Sequence, residues 1–208
     1  MRLVLLMVSL LLLAVSTVLS LSKAVSEDLV YNIVYVHVPA SISALVCFTV
    51  VFVCSIVCLI RYRLLWDHVA AASAEVGLLF AVSLNVTGSI WAHAAWGVWW
   101  TISPRLVSSA MLLFLYAAYV LLRNSFSERI KRARVAAVFG IIAFIDVPLV
   151  YISARFVEDI HRPSAGFETG WQSATFGVAI LGTLLLAAGL IWLRTEMFES
   201  RMQMDEMV

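Results

Sequence analysis

Charge is scarce in this chain. Of 208 residues only 13% are Asp, Glu, Lys or Arg, against 63% that are hydrophobic, and the mean hydropathy is +1.00. A soluble domain is about half apolar and a quarter charged. At 23.0 kDa the surface is too large for the volume to hide such an apolar excess in one aqueous core. A soluble globular domain is excluded, and lipid is the expected solvent. The 14 basic and 13 acidic residues leave a formal net charge of +1, so no global field selects nucleic acid as a partner. Cysteine is sparse as well. Cys47, Cys54 and Cys58 share one apolar run without a C-x-x-C spacing, which argues against a disulfide framework or a thiol-redox motif and leaves them as small packing residues on one helix. No G-x-x-x-x-G-K sequence occurs, so the chain is not itself an ATPase of the phosphate-loop type.

What the chain has is six long apolar runs, at 3–21, 38–60, 69–90, 106–122, 135–154 and 174–193. Each can cross a hydrocarbon layer of about 30 Å at about 1.5 Å per residue. Four contain no charged residue; the third carries only Glu75 and the fifth only Asp146. The expectation is an all-α integral membrane protein, a single six-helix domain over residues 1–208. The first run is read as a retained helix, because it exceeds the apolar core of a signal peptide and only Arg2 charges its start. Assigning loops alternately to two sides puts ten of the fourteen Lys and Arg residues on one side. The positive-inside bias then predicts both termini in the cytoplasm. Residues 22–37, 91–105 and 155–173 face outward, while the inner connections, 61–68 and 123–134, are short and basic, with no cytoplasmic domain.

Polar information gathers outside. His37, His93 and His161 fall there, and only His68 falls on the inner side. Pro39 suits the first turn of a helix, where its missing N–H is not needed, which places His37 at the outer mouth of the second span. His161 stands in the polar loop 158–163 at a similar depth. Two neutral imidazoles at one level can ligate a metal or a haem iron, although each taken alone reads first as an interfacial histidine. Four of the seven tryptophans, Trp91, Trp96, Trp99 and Trp100, fall within ten residues. An aromatic belt accounts for one or two of them. Four in one loop, beside Arg105 and between two outer histidines, predict a flat apolar platform with a cation at its edge, suited to a planar ligand with carboxylates. Haem has that description.

Tyr35-Val36-His37-Val38-Pro39-Ala40, Thr87-Gly88-Ser89-Ile90-Trp91, Trp96-Gly97-Val98-Trp99-Trp100, Arg105-Leu106 and the stretch 148–161 together resemble the haem exporter protein C family of cytochrome c maturation, within the tryptophan-rich haem-handling membrane proteins. The resemblance runs from about residue 31 to residue 192, with the motifs in the family's order. It implies a six-helix protein of the bacterial inner (cytoplasmic) membrane that carries haem b as cargo at the outer face. His37 and His161 would be the axial ligands and Trp91, Trp96, Trp99 and Trp100 the platform, with Arg105 at its edge. His93 has no counterpart in the family pattern. The implied partners are a membrane-anchored haem chaperone, ATP-binding-cassette subunits and a small single-helix accessory protein. Such a protein is an assembly factor more than a conventional enzyme, and no hydrolase or redox motif is found. Two other readings stand beside it. A permease subunit of an ATP-dependent haem exporter would need a polar route through the bundle. A b-type electron-transfer cytochrome would seat its histidines within the spans.

The chain departs from the family at one place. The usual Trp-Trp-x-Trp-Asp is replaced by Trp99-Trp100-Thr101-Ile102-Ser103, followed by Pro104. Ser103 can keep the helix N-cap with Pro104 in the first helical position, but an indole N–H and a negative charge are lost. Within the spans, Glu75 is expected to snorkel or to pair with Arg61 or Arg63. Asp146 is expected to hydrogen-bond between helices. Pro148, two residues on, should leave the Phe144 carbonyl without its helical donor and kink the fifth span.

Overall fold

The computed structural model describes residues 2–22, 29–156 and 169–207, and every regular element among them is helical. The elements are α1 (Arg2–Ser22), α2 (Val34–Arg61), α3 (Leu64–Trp96), α4 (Pro104–Asn124), α5 (Arg129–Ala143), α6 (Asp146–Phe156) and α7 (Gly170–Met207), with a 3-10 turn, Leu29–Ile33, leading into α2. Six helical spans, with α5 and α6 forming one, are long and apolar enough to cross a membrane. The chain is a multi-pass membrane protein. His161 lies outside the described residues.

The helices outrun the apolar runs. The inner connections expected over 61–68 and 123–134 shrink to 62–63 and 125–128, because neither stretch contains a Pro or Gly to stop a helix. Tyr62 makes the first turn alone, in the left-handed region at φ 53°, with its N–H donating to the Cys58 carbonyl at 2.9 Å. At the other end of α2 the expectation for Pro39 is corrected. The 3-10 turn starts the helical path early, so Pro39 sits inside α2 and His37 in its first turn. An interior proline so near the helix start removes one main-chain bond.

The fifth span breaks where Pro148 predicts. Without an N–H on residue 148, the Phe144 carbonyl accepts from Val147 instead, at 3.0 Å, and a turn at residues 144–145 separates α5 from α6. Asp146 is buried at that break, and its Oδ2 has no hydrogen-bond partner among the described residues. The helix-to-helix bond expected of Asp146 is not made through that oxygen.

Close packing follows the small residues, as it does where helices associate in lipid and van der Waals contact replaces hydrophobic driving force. On α3, Ala70, Ala71, Ala74 and Gly77 are buried, and a Cβ at residue 77 would lie 2.6 Å from the Phe48 ring of α2. Phe48 in turn stacks on Tyr116 of α4, and Phe52 on Phe144. Cys47, Cys54 and Cys58 are buried free thiols in α2, the packing role expected of them. α1 lies outside this centre and packs on α7. It presents Ser9, Ser16 and Ser20 inward and turns Leu3, Met7, Leu11 and Val18 outward. Leu6 and Leu13 rest on Gly189 and Gly182 of α7.

Candidate functional site

Polar side chains collect at the two ends of the bundle. At one end Arg2 of α1 pairs with Glu196 of α7, which brings the start of the chain beside the last stretch of α7. Here Asp67, in the first turn of α3, pairs with Arg123 in the last turn of α4. Both are buried, at 2% and 5% exposure, and each sits where its charge suits the helix macrodipole. Phe198 of α7 packs against this pair, with the Arg123 guanidinium 5.6 Å and the Arg194 guanidinium 4.4 Å from its ring centroid, and His68 stacks on it at 5.8 Å. The partner of Glu75 is Arg194, through Nε at 2.5 Å and Nη2 at 3.0 Å. It is neither Arg61 nor Arg63, because α3 lies beside α7 and Arg194 stands one helix away at the same depth.

The opposite end holds the sequence-predicted site residues that the structure describes, and three consecutive residues of α3 organise it. Thr87 Oγ1 lies 3.0 Å from Nδ1 of His37. Gly88 follows, and a Cβ there would lie 3.0 Å from Cε1 of His37, so the imidazole rests on the bare glycine backbone. Ser89 Oγ donates to the Trp99 carbonyl at 2.6 Å. The Thr-Gly-Ser run thus ties the candidate ligand on one side and the tryptophan segment on the other. Sequence reasoning missed these roles. Thr87 and Ser89 stood in a quoted motif, but their contacts show only once the neighbours of α3 are known.

The tryptophans do not share one loop. α3 continues to Trp96, so Trp91, His93 and Trp96 are helical, and only Trp99 and Trp100 lie in the connecting segment before α4. The helix stops at Gly97, whose φ of 74° suits a residue without Cβ, with its N–H donating to the His93 carbonyl at 2.9 Å. No earlier residue between 91 and 96 supplies such a stop. Nor is the group flat. Trp91 and Trp96 meet edge to face at 80°, 4.7 Å between centroids. The ring of Trp99 lies parallel to His93 at 4.1 Å and 3°. His93, which had no role in the sequence reading, therefore backs one face of Trp99. Trp99 and Trp100 remain 58% and 46% exposed, so apolar indole surface is open to a ligand or to lipid. Ser103 caps α4 as expected, accepting from the Leu106 N–H at 3.4 Å with Pro104 in the first turn. Arg105 follows in that turn. Ile102, just before the cap, is 91% exposed.

With this arrangement in view, the comparisons are decisive. The family described as Heme exporter protein C matches residues 1–207. The chain belongs to the haem exporter protein C family. Heme exporter protein C of Escherichia coli (strain K12) is 30% identical over 167 residues, 79% of this chain and 68% of that protein. The family member of Rhodobacter capsulatus is 27% identical over 181 residues, 83% and 75% of the two chains. A protein of Marchantia polymorpha, named as a putative cytochrome c biosynthesis ccmC-like mitochondrial protein, is 30% identical over 162 residues, 78% and 65%. The names of these relatives speak of haem export and cytochrome c biosynthesis. Within the haem exporter protein C family this chain is a member whose α4 is capped by serine and preceded by isoleucine.

Proposed function

We propose that this protein binds haem at the outer face of the cytoplasmic membrane and presents it to a membrane-anchored haem chaperone during c-type cytochrome biogenesis. The observation that carries the reading is the setting of His37. Its ring is held through Nδ1 by Thr87 at the end of the bundle that also bears the exposed indoles of Trp99 and Trp100. No side chain among the described residues hydrogen-bonds Nε2. An imidazole fixed through one nitrogen and open at the other is the donor that haem iron takes. The indole surface suits the macrocycle, and Arg105 offers a cation for propionates. His161 is the second axial ligand on this reading, supported by family resemblance. Haem is cargo here, and the chemistry of iron is the haem's own.

The excess of Lys and Arg on the side of the Asp67–Arg123 pair supports a cytoplasmic placement of that end and of both termini. ATP-binding-cassette subunits and a small single-helix protein complete the proposed assembly. The test is haem binding by the full chain in lipid nanodiscs. Wild type titrated with haemin should show the Soret band of a six-coordinate low-spin haem. His37→Ala and His161→Ala should each lose that spectrum or change its ligation state. If both variants keep the wild-type spectrum and occupancy, the ligand assignment is wrong.

A further inference from the structure

The hydroxyl of Thr87 has one proton to give and lone pairs to accept with. Its Oγ1 lies 2.7 Å from the Ser83 carbonyl and 3.3 Å from the Leu84 carbonyl. Both are acceptors only, so the single proton points back along α3 to Ser83. What Oγ1 has left for His37, 3.0 Å away, is a lone pair. The contact is then a hydrogen bond only if Nδ1 of His37 carries a proton. In a neutral imidazole a proton on Nδ1 means a lone pair on Nε2. Gly88 keeps the ring in this pose, since a Cβ there would lie 3.0 Å from Cε1 and 3.6 Å from Nδ1. The next residue, Ser89, fixes the main chain of Trp99 at 2.6 Å, so the same turn of α3 orients ring and indole together.

We infer that Thr87 is a positioning residue: through its bond to Ser83 it acts as an obligate acceptor, holds His37 in the Nδ1–H tautomer, and presents the Nε2 lone pair as the ligand. The consequence for haem rests on the ligation reading above, whereas the tautomer itself does not. The protein's main chain chooses which imidazole nitrogen binds, because the Ser83 carbonyl directs the threonine proton and the threonine oxygen directs the histidine proton. An outer partner of this kind raises the basicity of the ligand, and its loss typically costs about 10–100-fold in metal affinity.

The test has a haem-free arm and a haem-bound arm. Full-length protein in nanodiscs, with 15N-labelled histidine and no haem, is examined by NMR at a pH where His37 is neutral, and a His37→Gln sample assigns the signals. Wild type and Thr87→Ser should show protonated Nδ1 and bare Nε2; Thr87→Val should shift population to the other tautomer. Haemin titration should then give Thr87→Ser affinity within about twofold of wild type. Thr87→Val should be weaker by about tenfold or more, with a more positive midpoint potential for whatever haem it binds. Finding Nε2 protonated in haem-free wild type overturns the inference without any variant, so it stays falsifiable if Thr87→Val does not fold. Where His37→Ala loses the wild-type Soret band, wild-type affinity and potential in Thr87→Val overturn it too. If instead the tautomer data are as expected while His37→Ala keeps full haem with an unchanged Soret band, the ligation reading fails and the tautomer assignment stands.

Discussion

The buried pair of Asp67 and Arg123 gives a prediction whose size can be worked from its surroundings. The two side chains are 2% and 6% exposed, so truncating one leaves the other as an uncompensated charge with little access to water. Asp67→Ala and Arg123→Ala should therefore each lower unfolding free energy by about 3–5 kcal/mol. Replacing both by apolar residues of similar volume, Asp67→Leu with Arg123→Met, removes the charge together with its desolvation cost. That double variant should lie within about 1–2 kcal/mol of wild type, on either side. A charge swap, Asp67→Arg with Arg123→Asp, separates attraction from placement. It restores the pair but puts a cation at the start of α3 and an anion at the end of α4, both against the macrodipole. The swapped protein should remain about 1–4 kcal/mol below wild type. Equilibrium unfolding in mixed micelles, followed by tryptophan fluorescence across a denaturing-detergent series, reads these five proteins and the Asp67→Ala, Arg123→Ala double truncation on one scale. Single variants within about 0.5 kcal/mol of wild type, the range of ordinary surface substitutions, would refute the burial argument. Strict additivity of the two truncations would refute the pairing.

Two further outcomes follow from the opposite end of the bundle. Gly88→Ala places a methyl group 3.0 Å from Cε1 of His37 and should stretch the bond to Thr87, worth about 0.5–1.5 kcal/mol net. Haem affinity measured by haemin titration should drop by about 2–10-fold, while unfolding shows no loss of stability, since alanine is the better helix former by about 1 kcal/mol; unchanged affinity would contradict the contact. Ser103→Ala should cost about 1 kcal/mol through the lost α4 cap, whereas Ser103→Asp should keep the cap, and equal destabilisation of the two in the same unfolding assay would show that the cap contributes nothing.

The sequence made those features legible that depend on one segment at a time. The apolar runs follow from composition alone. The break at Phe144 follows from the missing N–H of Pro148, and the α4 start from Ser103 and Pro104, because capping and breaking are local chemistry. Hydropathy also drew the tryptophan segment as a loop, since it cannot see that helical hydrogen bonding continues past the apolar stretch until Gly97 offers a left-handed stop. Features that depend on which helices become neighbours were out of reach. Glu75 was matched with arginines close in sequence, yet the reach that matters is sideways, to Arg194 across 119 residues. Asp67 and Arg123 sit at opposite boundaries of two spans and look like ordinary flanking charges. His37 was visible as a candidate ligand. Thr87, 50 residues away, stood in one of the quoted motifs, but its pairing with His37 did not show, because a threonine's partner is unknown until another helix lies against it.

α3 acts as a ruler between the two ends. Asp67 lies near its start and Thr87 in its last third, a separation of about 30 Å along a continuous helix at about 1.5 Å per residue. At one end the length is pinned by a buried charge, at the other by the clasp on His37. Inserting or deleting one residue between them would slide the far end by about 1.5 Å and turn it by about 100°, taking Thr87, Gly88 and Ser89 off their neighbours at once. The stretch of α3 between its two anchors has one permissible length, and its residue count is as much a part of the site as the side chains at its end.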